Sequence, residues 1–232
     1  MDHDTLVIVT ARNEAERIAA TIAALGRSLA GASVLVADDC SSDATAEIAR
    51  QAGARVVSAP RALGKGGAAT LAARQALREV ARSGDGGGVD VIVLLCDGDL
   101  GESAARLGAL VQAVASGEAD IAVAAFTRRL GGGIGVAVAF ARWAIRMRCG
   151  LRAKAPISGQ RALRVRVLDD VLPFAAGFGM ELGMTIDAVR AGYRVGEIEL
   201  DLTHRATGRT PAGFIHRGRQ LWDFARVYVA RR

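Results

Sequence analysis

The segment that most constrains the fold covers residues 89–100, an apolar run that ends in Asp97, Gly98 and Asp99. Residues 91–95 are all apolar, which is too short for a membrane span but typical of a strand buried on both faces of a parallel sheet. Open α/β sheets bind their ligands at the carboxyl ends of such strands. Two carboxylates one residue apart can share a hard divalent cation such as Mg2+ or Mn2+. A simple Asp-Gly turn after a core strand is the alternative interpretation.

The length and composition predict a globular α/β protein. The chain has 232 residues, of which 51% are hydrophobic, enough for one generous domain with a real core. No run approaches the roughly 18 apolar residues of a spanning helix, and the acidic N-terminus does not resemble a signal peptide. Cys40, Cys96 and Cys149 are far apart, which indicates reduced thiols in a cytoplasmic protein and neither a disulfide frame nor a zinc site.

Positive charge is concentrated in the second half of the chain. The net charge is +6, and residues 126–166 include ten Arg or Lys but no Asp or Glu. Such a block favours an anionic partner, either a phosphate group or an acidic membrane surface. Nucleic acid is not expected as a partner, because aromatic residues make up only 4% of the chain and no nucleic-acid-binding motif is present. A basic, solvated face is the alternative.

Strand-like and helix-like segments alternate with short connections, which predicts a mostly parallel, doubly wound sheet. We predict strands at residues 6–9, 34–37, 54–58, 91–95, 121–125, 157–163 and 194–202. We predict a first helix with Glu14 and Glu16 in its first turn, and further helices at residues 44–51, 68–81, 102–115, 136–149, 180–191 and 212–229. Residues 60–67 are predicted to form a glycine-rich loop. It lacks the Walker-loop spacing, and no GxGxxG motif follows the first strand.

Four polar segments follow the predicted strands in order: TARNE at 10–14, DDCSSD at 38–43, GKG at 64–66 and DGD at 97–99. This series resembles the nucleotide-sugar half of the GT-A glycosyltransferases of family 2, with their P-x-x-N-E, D-D-x-S-x-D-x-T and D-x-D motifs. Thr10 stands where the family usually has Pro. The resemblance implies one GT-A domain over residues 1–232, with a nucleotide-sugar half up to about residue 125 and an acceptor half from about residue 126.

The resemblance also implies roles for the residues that match these motifs. The nucleotide would be held by five of them, with the Asp39 carboxylate on the base: Thr10, Ala11, Glu14, Asp39 and Lys65. Asp97 and Gly98 would lie near the ribose and the metal. Asp99 would coordinate the metal directly and is the first catalytic candidate. The bound Mg2+ or Mn2+ would stabilise the departing nucleoside diphosphate as a Lewis acid.

The second half is similar to glucosyl-3-phosphoglycerate synthases and polyprenyl-phosphate glycosyltransferases in two segments, APISGQRA at 155–162 and GFGMELG at 177–183. These segments imply that the acceptor is bound by Ser158, Gly159, Gln160 and Glu181. Glu181 is the second catalytic candidate, although an acidic residue at a helix start also suits the helix dipole.

A last group of candidates surrounds the end of the final predicted strand. By the same resemblance, His204 would complete the metal site with Asp97 and Asp99. Arg205 and Arg209 would bind the diphosphate and order the following segment as a lid. The closing helix has one broad apolar face, which predicts packing on the sheet, with peripheral membrane contact as the alternative.

The sequence thus predicts a metal-dependent glycosyltransferase of the hexosyltransferase type. Its donor would be a UDP-sugar such as UDP-glucose in preference to a GDP-sugar, and its acceptor an anionic small molecule or a polyprenyl phosphate. A homodimer is compatible with the sequence. The alternatives are a sugar-phosphate nucleotidyltransferase, which should open with a G-G-x-G-x-R loop, and a non-catalytic nucleotide-sugar-binding module. Inversion or retention stays open, because no E-D pair of the inverting enzymes is present, whereas glucosyl-3-phosphoglycerate synthases retain configuration.

Overall fold

The structure is a computed structural model that describes residues 4–82, 91–127, 135–202 and 211–231, with side chains described from residue 218 onward in the last range. Seven strands form one sheet. They are β1 (Thr5–Ala11), β2 (Ser33–Asp38), β3 (Arg55–Ser58), β4 (Ile92–Asp97), β5 (Ile121–Phe126), β6 (Arg161–Arg164) and β7 (Val195–Leu200). Their order is β3-β2-β1-β4-β6-β5-β7. Only β6 is antiparallel to its neighbours among these seven, so the predicted mostly parallel sheet is confirmed.

Helices flank the sheet. Those in the described residues are α1 (Ile18–Ser28), α2 (Thr45–Gln51), α3 (Gly64–Arg82), α4 (Gly108–Ala115), α5 (Gly135–Cys149), α6 (Val165–Asp170), α7 (Met180–Arg190) and α8 (Pro211–Ala230). Two 3-10 segments, Gly101–Leu107 and Gly177–Gly179, precede α4 and α7. None of the helices in these described ranges is long and apolar enough to cross a membrane.

The apolar strands are covered on both faces, as their continuous hydrophobic pattern predicts. Alternate residues of β1 enter different cores: Val7 and Val9 pack on the side of α1 and α4, whereas Leu6 and Ile8 pack on the side of α3, α6 and α7. A third apolar cluster joins α5, α7 and α8, with Phe224 of α8 fully buried in it. The three cysteines are free thiols in the structure, with Cys40 exposed and Cys96 buried.

Several predicted boundaries were wrong. Residues 64–67 are not a loop but the first turn of α3. Glu14 and Glu16 lie before α1 and not in its first turn, because the carbonyl of Glu14 accepts hydrogen bonds from the N–H groups of Arg17 and Ile18 in a turn. The helix predicted at 102–115 is a 3-10 segment followed by α4. The strand predicted at 157–163 is shorter and begins later, as β6 at Arg161–Arg164. The short helix α6 that follows it was not predicted.

The strand register aligns the polar ends of the central strands. Thr10 of β1 lies opposite Asp97 of β4, and Ala11 lies opposite Asp38 of β2. Since parallel strands present their carboxyl ends at the same edge, three of the four polar segments identified in the sequence begin at that edge. The fourth, which contains Lys65, is brought there by the start of α3.

Candidate active site

The carboxylate of Asp97 is the centre of a polar cluster at the end of β4. Thr10 Oγ1 donates a hydrogen bond to Asp97 Oδ1 at 3.1 Å, and Gln160 Nε2 donates to Asp97 Oδ2 at 2.9 Å. Lys65 Nζ lies 2.6 Å from Asp97 Oδ1. Asp97 therefore connects β1, the start of α3 and the segment before β6.

Lys65 bridges two carboxylates. Its Nζ is 2.6 Å from Asp97 Oδ1 and 2.8 Å from Glu181 Oε1. Burial by itself would lower the pKa of Lys65, but the charges of Asp97 and Glu181 outweigh it and raise the pKa above its ordinary value. Burial would likewise raise the pKa of Asp97, yet Lys65, Gln160 and Thr10 hold that pKa below its ordinary value. At neutral pH the lysine is protonated and Asp97 is ionised.

Two glycines allow the elements that carry Lys65 and Glu181 to approach each other. A Cβ at Gly66 would lie 1.9 Å from the carbonyl oxygen of Ala175, so α3 can begin against the segment before α7 only with glycine there. Gly177 has a φ of +57°, and a Cβ on it would lie 2.2 Å from Asp223 Oδ2. That carboxylate accepts a hydrogen bond from the N–H of Phe178 at 3.0 Å and so fixes the turn that leads into α7.

The predicted acceptor residues lie beside this cluster. Ser158 and Gln160 are buried, and Gly159 faces the charged groups directly. A Cβ at Gly159 would lie 2.3 Å from Lys65 Nζ and 3.0 Å from Asp97 Oδ2, and it would also be 3.3 Å from Glu181 Oε1. The absence of a side chain at Gly159 leaves the space in which these charged groups meet.

The Asp39 carboxylate has a structural partner that the sequence did not reveal. Its Oδ1 accepts a hydrogen bond from the N–H of Leu63 at 2.6 Å, and its Oδ2 accepts one from Gly64 at 3.0 Å. These bonds satisfy backbone donors at the start of α3, where a negative charge also suits the helix dipole. Arg12 Nη1 lies 3.7 Å from Asp39 Oδ2. Each carboxylate oxygen has two lone pairs, so the predicted hydrogen bond to a nucleotide base requires no loss of this cap.

Hydrogen bonds join the loops that follow β1 and β2. Asn13 has a φ of +56°; its N–H donates to Ser41 Oγ at 3.0 Å and its side-chain oxygen accepts from the N–H of Ser42 at 2.9 Å. The N–H of Glu14 donates to Thr45 Oγ1 at 2.8 Å. Sequence reasoning assigned Asn13 no role, although Asn tolerates the left-handed region better than most residues. Of the predicted nucleotide residues, Glu14 thus lies in one connected pair of loops, and Ala11 is the strand residue from which the first of these loops leaves.

Asp99 follows a tightly packed glycine. A Cβ at Gly98 would lie 3.1 Å from Ala11 Cβ and 3.2 Å from Ile18 Cδ1, and Thr21 Oγ1 donates to the Gly98 carbonyl at 2.8 Å. Gly98 therefore has a packing requirement in addition to its predicted place near the donor. Asp99 is partly exposed, and its backbone carbonyl accepts a hydrogen bond from Arg17 Nη1 at 3.2 Å.

The predicted metal ligands are only partly within the described residues. In the ranges that the structure describes, no group of three or more His, Cys, Asp or Glu residues could hold a metal ion. Asp97 and Asp99 supply two carboxylates at the strand end, whereas His204, Arg205 and Arg209 lie outside the described residues. Mg2+ in proteins that bind phosphates is commonly held by one or two carboxylates together with phosphate oxygens. Asp97 and Asp99 are of the chemical type that such a site needs, and their binding of Mg2+ or Mn2+ together with a diphosphate stays a prediction.

Comparison with known sequence families identifies the chain. Residues 6–170, well over half of the protein, match the profile of Glycosyl transferase family 2. The chain belongs to this family. It is therefore a glycosyltransferase, as the sequence predicts, and not a sugar-phosphate nucleotidyltransferase or a non-catalytic module. No curated protein matches the sequence significantly.

Solved structures extend the likeness of this family 2 chain beyond residue 170. Three crystal structures of glucosyl-3-phosphoglycerate synthase from Mycobacterium tuberculosis each align with 99% of this chain. The aligned residues make up 80%, 80% and 79% of the synthase chain in the three structures. The complex with phosphoglyceric acid is 25% identical with a TM-score of 0.77. The complex with Mn2+, uridine-diphosphate and glucosyl-3-phosphoglycerate is 26% identical with a TM-score of 0.76. The complex with Mg2+ and uridine-diphosphate is 27% identical with a TM-score of 0.73. These likenesses confirm the predicted GT-A fold.

Proposed function

We propose that the protein transfers a hexosyl group, with glucose as the first candidate, from its UDP conjugate to a small phosphorylated acceptor, assisted by Mn2+ or Mg2+. The observation that carries the proposal is the cluster of Asp97, Lys65 and Glu181 at the end of β4. It joins the predicted donor side to the predicted acceptor side of a single site. Similar structures were solved with Mn2+, UDP-glucose and glycerol 3-phosphate, and with Mn2+, UDP and phosphoglyceric acid, which supports this choice of substrates.

The nucleoside would be held by the joined loops after β1 and β2. In this proposal Asp39 accepts a hydrogen bond from the base while it continues to cap α3. Thr10, Ala11 and Glu14 surround the base and ribose. Because Asp39 is 6% exposed and held by two backbone N–H groups, it would recognise the base from a fixed position.

Asp97 and Asp99 would hold the divalent cation, and His204 is proposed as a further ligand. When bound, the cation supplies Lewis-acid stabilisation of the negative charge on the departing diphosphate. Asp97 is kept ionised by Lys65, Gln160 and Thr10, so it can serve as an oxygen ligand at neutral pH. Arg205 and Arg209 are proposed to bind the diphosphate.

Lys65 would have a second position in the catalytic cycle. Its ammonium group is a compact charge on a flexible four-carbon side chain. In the structure this group lies between the carboxylates of Asp97 and Glu181. Rotation of the stem would direct that charge toward the diphosphate. Glu181 would then be free to accept a hydrogen bond from a hydroxyl group of the acceptor or of the sugar.

The acceptor would lie against Ser158, Gly159, Gln160 and Glu181. Gly159 lies directly against the charged cluster, and the excess of Arg and Lys in the second half of the chain favours an acceptor with a phosphate. The similar structure solved with phosphoglyceric acid supports this acceptor-binding role for the four residues.

A polyprenyl phosphate is a second candidate acceptor, favoured by one observation. Trp143 and Met147 on α5 and Trp222 on α8 are 46%, 59% and 66% exposed, and Arg142 and Arg146 are exposed on α5. Exposed aromatic and basic residues are typical of helices that contact an anionic membrane surface. Such an acceptor would be used only in a vesicle or detergent.

The experiment measures release of UDP from UDP-glucose in the presence of Mn2+. Phosphoglyceric acid, glycerol 3-phosphate and a polyprenyl phosphate in vesicles are offered separately. We expect turnover with one of the two soluble acceptors and loss of that turnover in E181Q. D120N should keep the wild-type rate, because Asp120 directly precedes β5, at the opposite end of the strands from the site. Turnover only with the vesicles would favour the second candidate. No turnover with any acceptor would contradict the proposed function.

A further inference from the structure

Arg161 is the largest fully buried side chain of the described residues, with 1% of its surface exposed. It is the first residue of β6 and is paired with Leu95 of β4 and Val123 of β5. The buried guanidinium group of Arg161 loses its hydration, which is costly unless each of its donors finds a hydrogen-bond partner.

The hydrogen bonds of Arg161 lead to the two segments that carry site residues. Its Nε donates to the carbonyl oxygen of Ser158 at 2.8 Å, and its Nη1 donates to Thr185 Oγ1 at 2.9 Å. Thr185 Oγ1 in turn donates to the carbonyl oxygen of Glu181 at 2.9 Å. One buried side chain therefore joins the segment before β6 to the first turn of α7.

Stability is a poor explanation for an arginine at this position. Its Nη2 is buried and has no hydrogen-bond partner in the structure, and well-packed apolar residues often match or exceed the stability of buried ionic groups. Burial lowers the pKa of Arg161 to about 10, against the opposing charges of Glu181 and Glu197. The group remains charged at neutral pH, and its charge and that of Glu181 attract each other.

We propose that Arg161 is a positioning residue for glycosyl transfer, an inference that rests on the proposed function. It holds the segment 158–160 and the first turn of α7 at a fixed separation. Gln160 is thereby kept on Asp97, and Glu181 is kept beside Lys65. When Lys65 turns toward the diphosphate, Arg161 continues to offset the charge of Glu181.

If Arg161 has this role, its substitution should lower kcat without changing the affinity for UDP. The nucleotide is held by loops that Arg161 does not touch, so its loss should leave UDP affinity intact. The transfer step depends on the placement of Gln160 and Glu181, and a displacement of about 1 Å at an active site can reduce a rate by about 100-fold. R161Q should therefore have a kcat lower by about 10- to 100-fold, with a Kd for UDP in Mn2+ within about twofold of wild type.

Three further variants make the test specific. R161K restores a charge but not the two directed hydrogen bonds, so it should stay close to R161Q. T185V removes the second hydrogen-bond partner with little change of shape and should lower kcat by about tenfold. It carries the test if R161Q fails to fold. R164Q is the matched control, because Arg164 lies at the other end of β6 and donates to the carbonyl of Val114; its kcat should be unchanged.

The experiment combines kinetics, UDP titration and the crystal structures of wild type, R161Q and T185V. The expected result is a fall in kcat at unchanged UDP affinity, together with displacement of Gln160 from Asp97 in the variants. Wild-type kcat in R161Q or T185V, or equal losses of kcat and UDP affinity, would overturn the inference. An undisplaced segment 158–160 would overturn it even if the wild type shows no turnover. If the segment is displaced in the variants and the wild type shows no turnover, the proposed function alone is contradicted.

Discussion

Lys65 Nζ lies 2.6 Å from Asp97 Oδ1, although Lys65 is in the first turn of a helix and Asp97 ends a strand on a different part of the chain. The same ammonium group is 2.8 Å from Glu181. Two carboxylates are therefore held near each other by one cation. Removal of that cation would leave like charges facing each other in a largely buried site, so the site and the fold are energetically coupled there.

The first prediction concerns this coupling. K65M should lower the free energy of unfolding by about 3 kcal/mol, near the lower limit for breaking a buried ion pair, because Lys65 and Asp97 are each about a quarter exposed. Adding E181Q to K65M should recover part of the loss, since Asp97 is then the single carboxylate of the pair and the like-charge repulsion is removed. Urea titrations of the four proteins in the cycle measure this. Strict additivity of the two substitutions would contradict the ion-pair network.

The second prediction concerns the space at Gly159. G159A should reduce glycosyl transfer by about tenfold or more, because its Cβ would displace the Lys65 ammonium group from the carboxylates. The loss of stability should stay below the roughly 3 kcal/mol of K65M, because the ammonium group at the end of a flexible side chain is displaced but not removed.

The control for G159A is G26A in α1, where a Cβ would meet nothing within 4 Å. It should leave transfer unchanged and raise the free energy of unfolding by about 0.5–1 kcal/mol through helix propensity. A fully active G159A protein would show that the cluster tolerates a different arrangement of its charges.

Much of the site follows from the sequence because polar residues interrupt apolar strands at the same edge. The ends of β1, β2 and β4 are recognisable from the run of apolar residues before them, and their parallel order places Thr10 opposite Asp97. No long-range information is needed for this inference, since the short alternating strand and helix pattern restricts the topology.

Other features depend on partners that are distant in sequence. The glycines at 64, 66 and 67 have low helix propensity and predict a loop, but α3 begins there because Asp39 accepts hydrogen bonds from Leu63 and Gly64. Similarly, β6 is a four-residue strand with an arginine at each end, so the strand predicted at 157–163 overlaps it but begins too early. The contacts of Arg161 with Ser158 and Thr185 became visible only in the folded chain.

The third prediction is a pH dependence away from the site. The N–H of Arg194 donates to Asp120 Oδ2 at 3.0 Å. This bond, together with the hydrogen bond from Arg166 and the charge of Arg194, holds the pKa of Asp120 below its ordinary value of 3.8 despite partial burial. Because the folded pKa is lower than the unfolded one, the stabilisation is complete above pH 3.8 and is lost as the pH falls through the folded value.

D120N lacks this titration. The difference in free energy of unfolding between wild type and D120N should be constant from about pH 5 to 7 and should shrink below about pH 4. Denaturant titrations at each pH measure it. A difference that grows as the pH falls would mean that the carboxyl is more basic in the folded protein than in the unfolded chain.

The central claim is that Asp99 makes nucleotide binding depend on a divalent cation. The most direct test is calorimetric titration of UDP into wild type, D99N and D120N, each with and without Mn2+. We predict binding to wild type and D120N that is at least about tenfold tighter with Mn2+, and no effect of Mn2+ on D99N. Metal-independent binding by the wild type, or an unchanged response in D99N, would contradict the account.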